Sequence, residues 1–336
     1  MGQLKVKDLT YNFLPGWWAK HYGIKYGERY ITDPEYRLQV LAEVRELMTR
    51  DMPDLLINEP PPAVQYANLD FGNATTGAYV GCELRFPDDD APCNKHLPPE
   101  MLASLALPRR IEEAYPYNEI VSQTNYLNVK YGCNKLPTIP TRGVLNEAFL
   151  IEGDKILTDM YEEPEEAWRI LDFSYAMLEK ITLHNIGVGY RGLVRILNCT
   201  IALISPEMYE EWLLPYDRRI FDLADRCGLT FGVHHCGTIT GKLIDVYRNI
   251  PRFDYFQVGF RSDIDKMIHD FPEAELRYCI DPVYCMNATA DEIANEIDET
   301  LYQMGEHATD IAIDVGALGF GTPMDNLRVI RERLAM

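Results

Sequence analysis

The chain has 336 residues, 47% hydrophobic and 25% charged, enough length and apolar content for a substantial core. Its 32 Lys and Arg stand against 52 Asp and Glu, a formal charge of −20. That balance excludes a sequence-blind grip on nucleic acid and docking on an anionic membrane, both of which need a basic face.

No run of about 18 apolar residues predicts a transmembrane helix. The opening stretch to Phe13 lacks the apolar core of a signal peptide, and Gly2 is not followed by Ser or Thr at position 6, which is Val6. A cytoplasmic protein is expected. Its cysteines, Cys82, Cys93, Cys133, Cys199, Cys227, Cys236, Cys279 and Cys285, are scattered. In a reducing compartment they read as free thiols, metal ligands or small core residues.

Residues 1–32 are crowded with aromatics, among them Tyr11, Phe13, Trp17, Trp18 and Tyr22, and predict a loop-like segment packed on the body or lining a pocket. Asp33 and Pro34 then open a helix to about Arg50, with Asp33 as N-cap and Leu38, Leu41, Val44 and Leu47 as its buried stripe. Asp54–Asn58 reads as a buried strand. The stretch 60–100, with its prolines, glycines and the run Asp88-Asp89-Asp90, reads as a long irregular excursion of the kind that serves as a lid.

From about residue 138 the pattern becomes regular. Helices are expected over 163–185, from Pro206 behind the N-cap Ser205, and over 239–248, 263–269, 290–305 and 324–334. Strands are expected over 193–199, 229–235, 255–259, 276–280 and 310–315. This alternation implies a parallel sheet, and its strand lengths fit a closed (β/α)8 TIM barrel. A single barrel domain over 1–336 is expected, with 1–137 supplying an elaboration over the mouth and the first barrel elements. No phosphate-binding glycine motif for a dinucleotide or nucleoside triphosphate occurs.

The sharpest chemical feature is Gly232-Val233-His234-His235-Cys236-Gly237, at the end of a predicted strand. Side chains alternate along a strand, so His234 and Cys236 share one face and His235 points to the other. An imidazole and a thiol so placed suit a soft metal, zinc above all. In a barrel, that end of the strand is the active-site end.

Four stretches resemble the uroporphyrinogen decarboxylase superfamily, and most of all its zinc-dependent, corrinoid-linked methyltransferase branch. They are Thr141-Arg142-Gly143 with the helix ending near Glu165; Leu203 to Glu211 with Pro215-Tyr216; His234-x-Cys236-Gly237; and Ile280-Asp281-Pro282 with Gly321 to Asn326. The resemblance covers about residues 138–334. It implies a (β/α)8 barrel with zinc on His234 and Cys236. The N-terminal Arg-Gln-Ala-Gly-Arg segment of true decarboxylases is replaced by Gly16-Trp17-Trp18-Ala19-Lys20-His21-Tyr22-Gly23, which disfavours porphyrinogen decarboxylation. The branch's third zinc ligand, a Cys before the closing Thr-Pro, is missing from Asp314–Gly321. The first choice to replace it is Cys279, at a strand end beside Asp281-Pro282. Cys199 and Asp314 end other strands and remain alternatives.

The implied activity is transfer of a methyl group from a small donor to a Co(I) corrinoid carried by a separate protein, with zinc activating the leaving group. The aromatic N-terminal segment tilts the donor toward a methoxylated aromatic. Glu59, His235 and Tyr209 are candidate proton donors or acceptors, with Glu207 weaker because it fits a first-turn helix acid. No Asp-x-His-x-x-Gly segment of a corrinoid-binding module occurs. Alternatives are a metal-independent decarboxylase-like lyase on the same barrel, a methylcorrinoid:thiol methyltransferase, and a non-catalytic binding protein. A homo-oligomer is compatible with the sequence.

Overall fold

The computed structural model describes residues 4–336, so the reading of Gly2 lies outside the described residues. Eight strands are found among them: β1 (Asp8–Phe13), β2 (Leu84–Arg85), β3 (Cys93–Asn94), β4 (Leu193–Leu197), β5 (Thr230–His234), β6 (Tyr255–Val258), β7 (Glu275–Ile280) and β8 (Ala312–Leu318). β2 and β3 form a small antiparallel pair, and the other six make one sheet in the order β1-β8-β7-β6-β5-β4. Every pairing in the large sheet is parallel, so its consecutive strands need crossovers. Helices Pro206–Trp212, Leu214–Arg226, Gly241–Tyr247, Ile264–Asp270, Ala290–Met304 and Met324–Leu334 supply them or follow the last strand.

The first strand lies against the last, with Asp8 opposite Ala312 and Phe13 opposite Leu318. This is the neighbour relation that closes a (β/α)8 barrel, and the fold is of that class. Two segments between β1 and β4 lie outside the hydrogen-bonded ladder. One runs to Gly143 beside β4: the Gly143 N–H donates to the Leu197 carbonyl at 2.9 Å and the Thr141 hydroxyl to that of Arg195 at 3.0 Å. The other is Asp54–Asn58. It was expected as a strand and is instead a series of turns and bends. Pro53 and Pro60–Pro62 bracket it and lack the N–H groups a ladder requires. A cavity of about 310 Å³ separates it from β1.

Strand alternation sorts the sheet into two faces. Ile196, Val233, Phe256, Val258, Ile313 and Val315 are wholly buried on the face toward the helices. Arg195, His234, Gln257, Arg277, Cys279 and Asp314 share the opposite face, the barrel lumen, as their hydrogen bonds across the strands show. The polar chemistry of the sheet is therefore concentrated on one side by a two-residue period.

The N-terminal reading needs correction. Residues 8–13 form a barrel strand and Pro15–Tyr22 and Gly27–Thr32 form helices, where a loop-like segment was expected. Leu9, Tyr11 and Phe13 alternate with polar residues in β1, a period that the density of aromatics obscured. The helix Pro34–Asp51 begins as expected, with the Asp33 carboxylate accepting from the N–H groups of Glu35 and Tyr36. The 60–100 excursion is a chain of short helices and the β2–β3 pair. No helix among the described residues is long and apolar enough to cross a membrane.

Arg37 ties this elaboration together. It is 1% exposed, and its guanidinium donates to the carbonyls of Tyr30 (2.8 Å), Ile31 (2.9 Å) and Asn68 (2.7 Å). Two of those carbonyls belong to the last turn of Gly27–Thr32, where no intrahelical donor remains. Arg37→Met should lower unfolding stability by about 2–4 kcal/mol, because the Tyr30 and Asn68 carbonyls lose their donor and the Ile31 carbonyl keeps only Gln123 Nε2. Arg37→Lys should restore little, since a point ammonium cannot span the fork. Urea denaturation of the two variants checks this.

Candidate metal centre

β5 delivers His234 at its C-terminal end, directly opposite Leu197 at the end of β4. The Asn198 N–H continues the pairing by donating to the His234 carbonyl at 2.8 Å, which lays the turn after β4 beside the histidine. Cys199 begins that turn, a 3-10 helix Cys199–Leu203. One ligand atom each from Cys199, His234 and Cys236 lie within 4.8 Å of one another. The group thus offers one imidazole nitrogen and two sulfurs at the mouth of the lumen, and Cys236 is exposed.

His234 is held by its neighbours across the sheet. Gln257 stands opposite it on β6, and the two are hydrogen-bonded through His234 Nδ1 and Gln257 Oε1. Gln257 Nε2 donates to Asp314 Oδ2 at 2.6 Å, and Arg277 donates to Asp314 Oδ1 at 2.7 Å. A carboxylate beside an arginine can only accept. The amide NH2 of Gln257 must therefore face Asp314, its oxygen faces His234, and the proton sits on Nδ1. That leaves the Nε2 lone pair as the imidazole's free donor, the tautomer a metal ligand needs.

The thiols are polarised unequally. The hydrogen bond from Cys236, helped by His234, lowers the Cys199 pKa to about 4 against the opposing effect of burial. Cys236 is pushed well up by that same contact with Cys199 and by burial. For His234, burial works against the charged form, but Cys199 and Gln257 outweigh it and the pKa rises. The contact between the two sulfurs thus favours the thiolate on Cys199, the form in which cysteine ligates metal.

Cys279 is not part of this group, and Cys199 stands where it was expected. The reason is strand order. β7 lies two strands from β5, about 9–10 Å at the usual spacing, whereas β4 is its immediate neighbour. Cys279 is 5% exposed, burial raises its pKa to about 12, and its sulfur lies 3.0 Å from where a Cβ on Gly316 would stand. Asp314 is committed to Gln257 and Arg277 and orients His234 at one remove. Consecutive strands joined by a helix are usually neighbours, so the signal for Cys199 was present in the sequence: it ends the strand preceding that of His234.

The three proton-carrying candidates lie apart from the cluster. His235 is wholly buried on the opposite side of the chain; its Nδ1 bonds the Gly237 carbonyl at 2.9 Å, and its Nε2 is enclosed without a partner. Burial lowers its pKa to about 4, so it is a neutral packing histidine. Tyr209 has no exposed surface. Glu59 has a side chain 78% exposed, pairs with Arg45, and lines the cavity beside β1. Glu207 has a 68% exposed side chain in a helix's first turn, as its weaker reading anticipated. Of the N-terminal aromatics, Trp17 is 1% and Trp18 4% exposed and both rings pack on Phe13, while Tyr11, Phe13 and Trp18 also line the cavity beside β1, which no cluster residue lines.

Tyr209 nonetheless bears on the site from below. Its hydroxyl donates to Asp217 Oδ2 at 2.6 Å, and Asn198 Nδ2 donates to the same oxygen at 2.8 Å and approaches the Tyr247 hydroxyl at 3.4 Å. Asn198 immediately precedes Cys199, so this buried set fixes the turn carrying the thiol. Gly143 is obligatory above it: a Cβ there would come within 2.0 Å of Asn198 Oδ1 and 2.7 Å of the Leu197 carbonyl.

With fold and cluster in place, the protein belongs by class among (β/α)8 barrels bearing thiol and imidazole groups at the C-terminal ends of their strands. Residues 67–333 match the family model described as Uroporphyrinogen decarboxylase (URO-D), and the chain belongs to that family. A solved methyltransferase from Methanosarcina mazei superposes with a TM-score of 0.62 at 16% identity, over 99% of this chain and 94% of that one. A B12-independent methionine synthase from Shewanella sp. W3-18-1 does so with a TM-score of 0.52 at 10% identity, over 99% and 96%. No curated protein matches in sequence.

Asp217 makes the supporting network pH-sensitive. Burial raises its pKa to about 6, against the hydrogen bonds from Tyr209 and Asn198. The folded state then binds more protons than the unfolded state between about pH 4 and 6, so this residue's contribution to stability falls as pH rises through that window. Asp217→Asn should therefore gain on the wild type from pH 4 to pH 6.5, by at most about 3 kcal/mol. Urea midpoints of both proteins across that range provide the measurement; a constant difference would refute the assignment.

Proposed function

We propose that this protein is an enzyme, a methyltransferase that passes a methyl group from a small-molecule donor to the Co(I) corrinoid of a separate partner protein, with zinc at the Cys199–His234–Cys236 cluster. The observation that carries the reading is the cluster itself: one nitrogen and two sulfurs converging within 4.8 Å at the barrel mouth. This donor set suits zinc, and three protein ligands leave a fourth position for substrate. Membership of the URO-D family and likeness of fold to two methyltransferases support it.

Zinc bound there would act as a Lewis acid toward the donor's leaving heteroatom. The chain's own residues do the rest. Gln257 and Asp314 fix the His234 tautomer, so that its Nε2 would be free to hold the metal. Asn198 and Asp217 hold the turn that aims Cys199. Exposure of Cys236 leaves the cluster open to an incoming donor and to a docking partner.

Purified wild type should carry about one zinc per chain. Cys199→Ser, His234→Ala and Cys236→Ser should lose both metal and methyl transfer to added corrinoid protein, while Cys279→Ser keeps its zinc. Gln257→Leu should weaken zinc about 10–100-fold in chelator competition, because the imidazole loses its orienting partner. Full zinc in Cys199→Ser would move the third ligand elsewhere. A metal-free active wild type would favour a lyase.

A further inference from the structure

The helix Pro34–Asp51 does not bury its whole apolar stripe. Leu38 and Leu47 are 9% and 7% exposed, as the sequence predicts, but Leu41 and Val44, with Met48 beyond them, are only partly covered. These three face the cavity of about 310 Å³ that separates β1 from Asp54–Asn58. Protein interiors leave few voids larger than a water molecule, and this one persists because its sides are held apart. Asp54 pairs with Arg328 at 2.9 Å at one end of the segment. At the other end the Arg45 guanidinium pairs with Glu59 and donates to the Pro60 carbonyl at 2.7 Å. The flanking prolines keep the segment from zipping onto β1. β1 is the edge of the large sheet, so its side toward the cavity presents peptide groups without a ladder partner.

The walls decide what fits. Met52, Leu55 and Leu9 offer only carbon and sulfur and are all deeply buried. Of the charged residues on the border, Arg45 and Glu59 are engaged with each other, and Asp8 stands at the start of β1 within reach of the Arg277 charge. An ion entering the slot would lose hydration against carbon and meet no free counter-charge. The volume is about twice the ~150 Å³ of an apolar cavity that admits benzene, which suits two fused rings. Phe13 and Trp18 bring aromatic rings to the lining, and Met48 and Met52 bring thioethers. Ring–ring and sulfur–ring contacts favour an aromatic occupant over a saturated one.

We propose that the cavity between β1 and Asp54–Asn58 is a binding site for an uncharged aromatic molecule of two-ring size, with a hydroxyl or amide group meeting the open edge of β1. The site is separate from the Cys199–His234–Cys236 cluster, none of whose residues line it, and it goes beyond the methyl-transfer reading. Binding would complete the packing of the helix stripe at Leu41, Val44 and Met48 and release water from apolar walls.

Calorimetric titration of the full chain with 2-naphthol, a phenol uncharged near neutral pH, tests this. Its Kd should lie below about 1 mM, a modest demand for a ligand of this size. The charged counterparts 2-naphthoate and 2-naphthylmethylammonium should bind at least about tenfold more weakly, because their charge must be desolvated. The saturated counterpart decahydro-2-naphthol should bind about twofold or more weakly, for want of ring contacts. Val44→Phe and Leu41→Trp each put a ring into the slot and should abolish 2-naphthol binding, with circular dichroism and melting temperature showing that the chain still folds. Val129→Phe, at a position 87% exposed, and Cys236→Ser should leave the affinity unchanged. Absence of 2-naphthol binding up to about 1 mM overturns the proposal. Unchanged binding in both slot-filling variants, or loss of binding in Cys236→Ser, does the same. A charged counterpart that binds as tightly as 2-naphthol overturns the choice of an uncharged ligand. Equal binding of decahydro-2-naphthol overturns the choice of an aromatic one.

Discussion

The hydrogen bond between His234 Nδ1 and Gln257 Oε1 is the constraint on which the site depends. It exists because β5 and β6 run parallel in a register that places the two residues opposite each other. Its direction is set farther along the sheet, where Arg277 holds Asp314 as an acceptor and Asp314 claims the amide NH2 of Gln257. A tautomer at one strand end is thereby decided by charges on β7 and β8. Four strands of the sheet act as one polar assembly, with Val233, Phe256 and Ile313 packed on the other face.

A second buried network supports the other half of the cluster. Tyr209 and Asn198 meet on one oxygen of Asp217, and Tyr247 closes the set. The turn that begins with Cys199 is therefore clamped between this network and the β4–β5 ladder. Gly143 matters for the same reason, since the backbone of its stave passes too close to Asn198 for any side chain. The cost of such an arrangement is one enclosed carboxylate oxygen, Asp217 Oδ1, without a partner. Its benefit is a thiol whose position does not depend on a mobile loop.

Departure from the pattern that the sequence resembles is concentrated at one thiol. The branch that the sequence resembles supplies a thiol near the closing Thr-Pro motif, at the end of the last strand. Here that strand end bears Gly316 and Ala317, and the Cys279 sulfur faces the glycine from β7. The thiol that completes the group comes from β4, on the other side of His234. A convergent site tolerates such a move because every parallel strand of a barrel ends at the same rim.

The sequence by itself determined the repeating strands and helices after residue 138, the N-caps Asp33 and Ser205, and the pairing of His234 with Cys236 on one face. Each of these depends on local periodicity or on backbone groups a few residues apart, and that information is carried in the order of side chains. The tertiary structure decided what depends on neighbours across the sheet. It put β1 against β8 and drew a strand from a segment whose aromatics had read as loop. It turned Asp54–Asn58 into bends between prolines, and it buried Tyr209 and His235 while leaving Glu59 in another cavity. It set Cys199 rather than Cys279 beside His234 and Cys236, because strand order, not spacing along the chain, fixes which strand ends are adjacent.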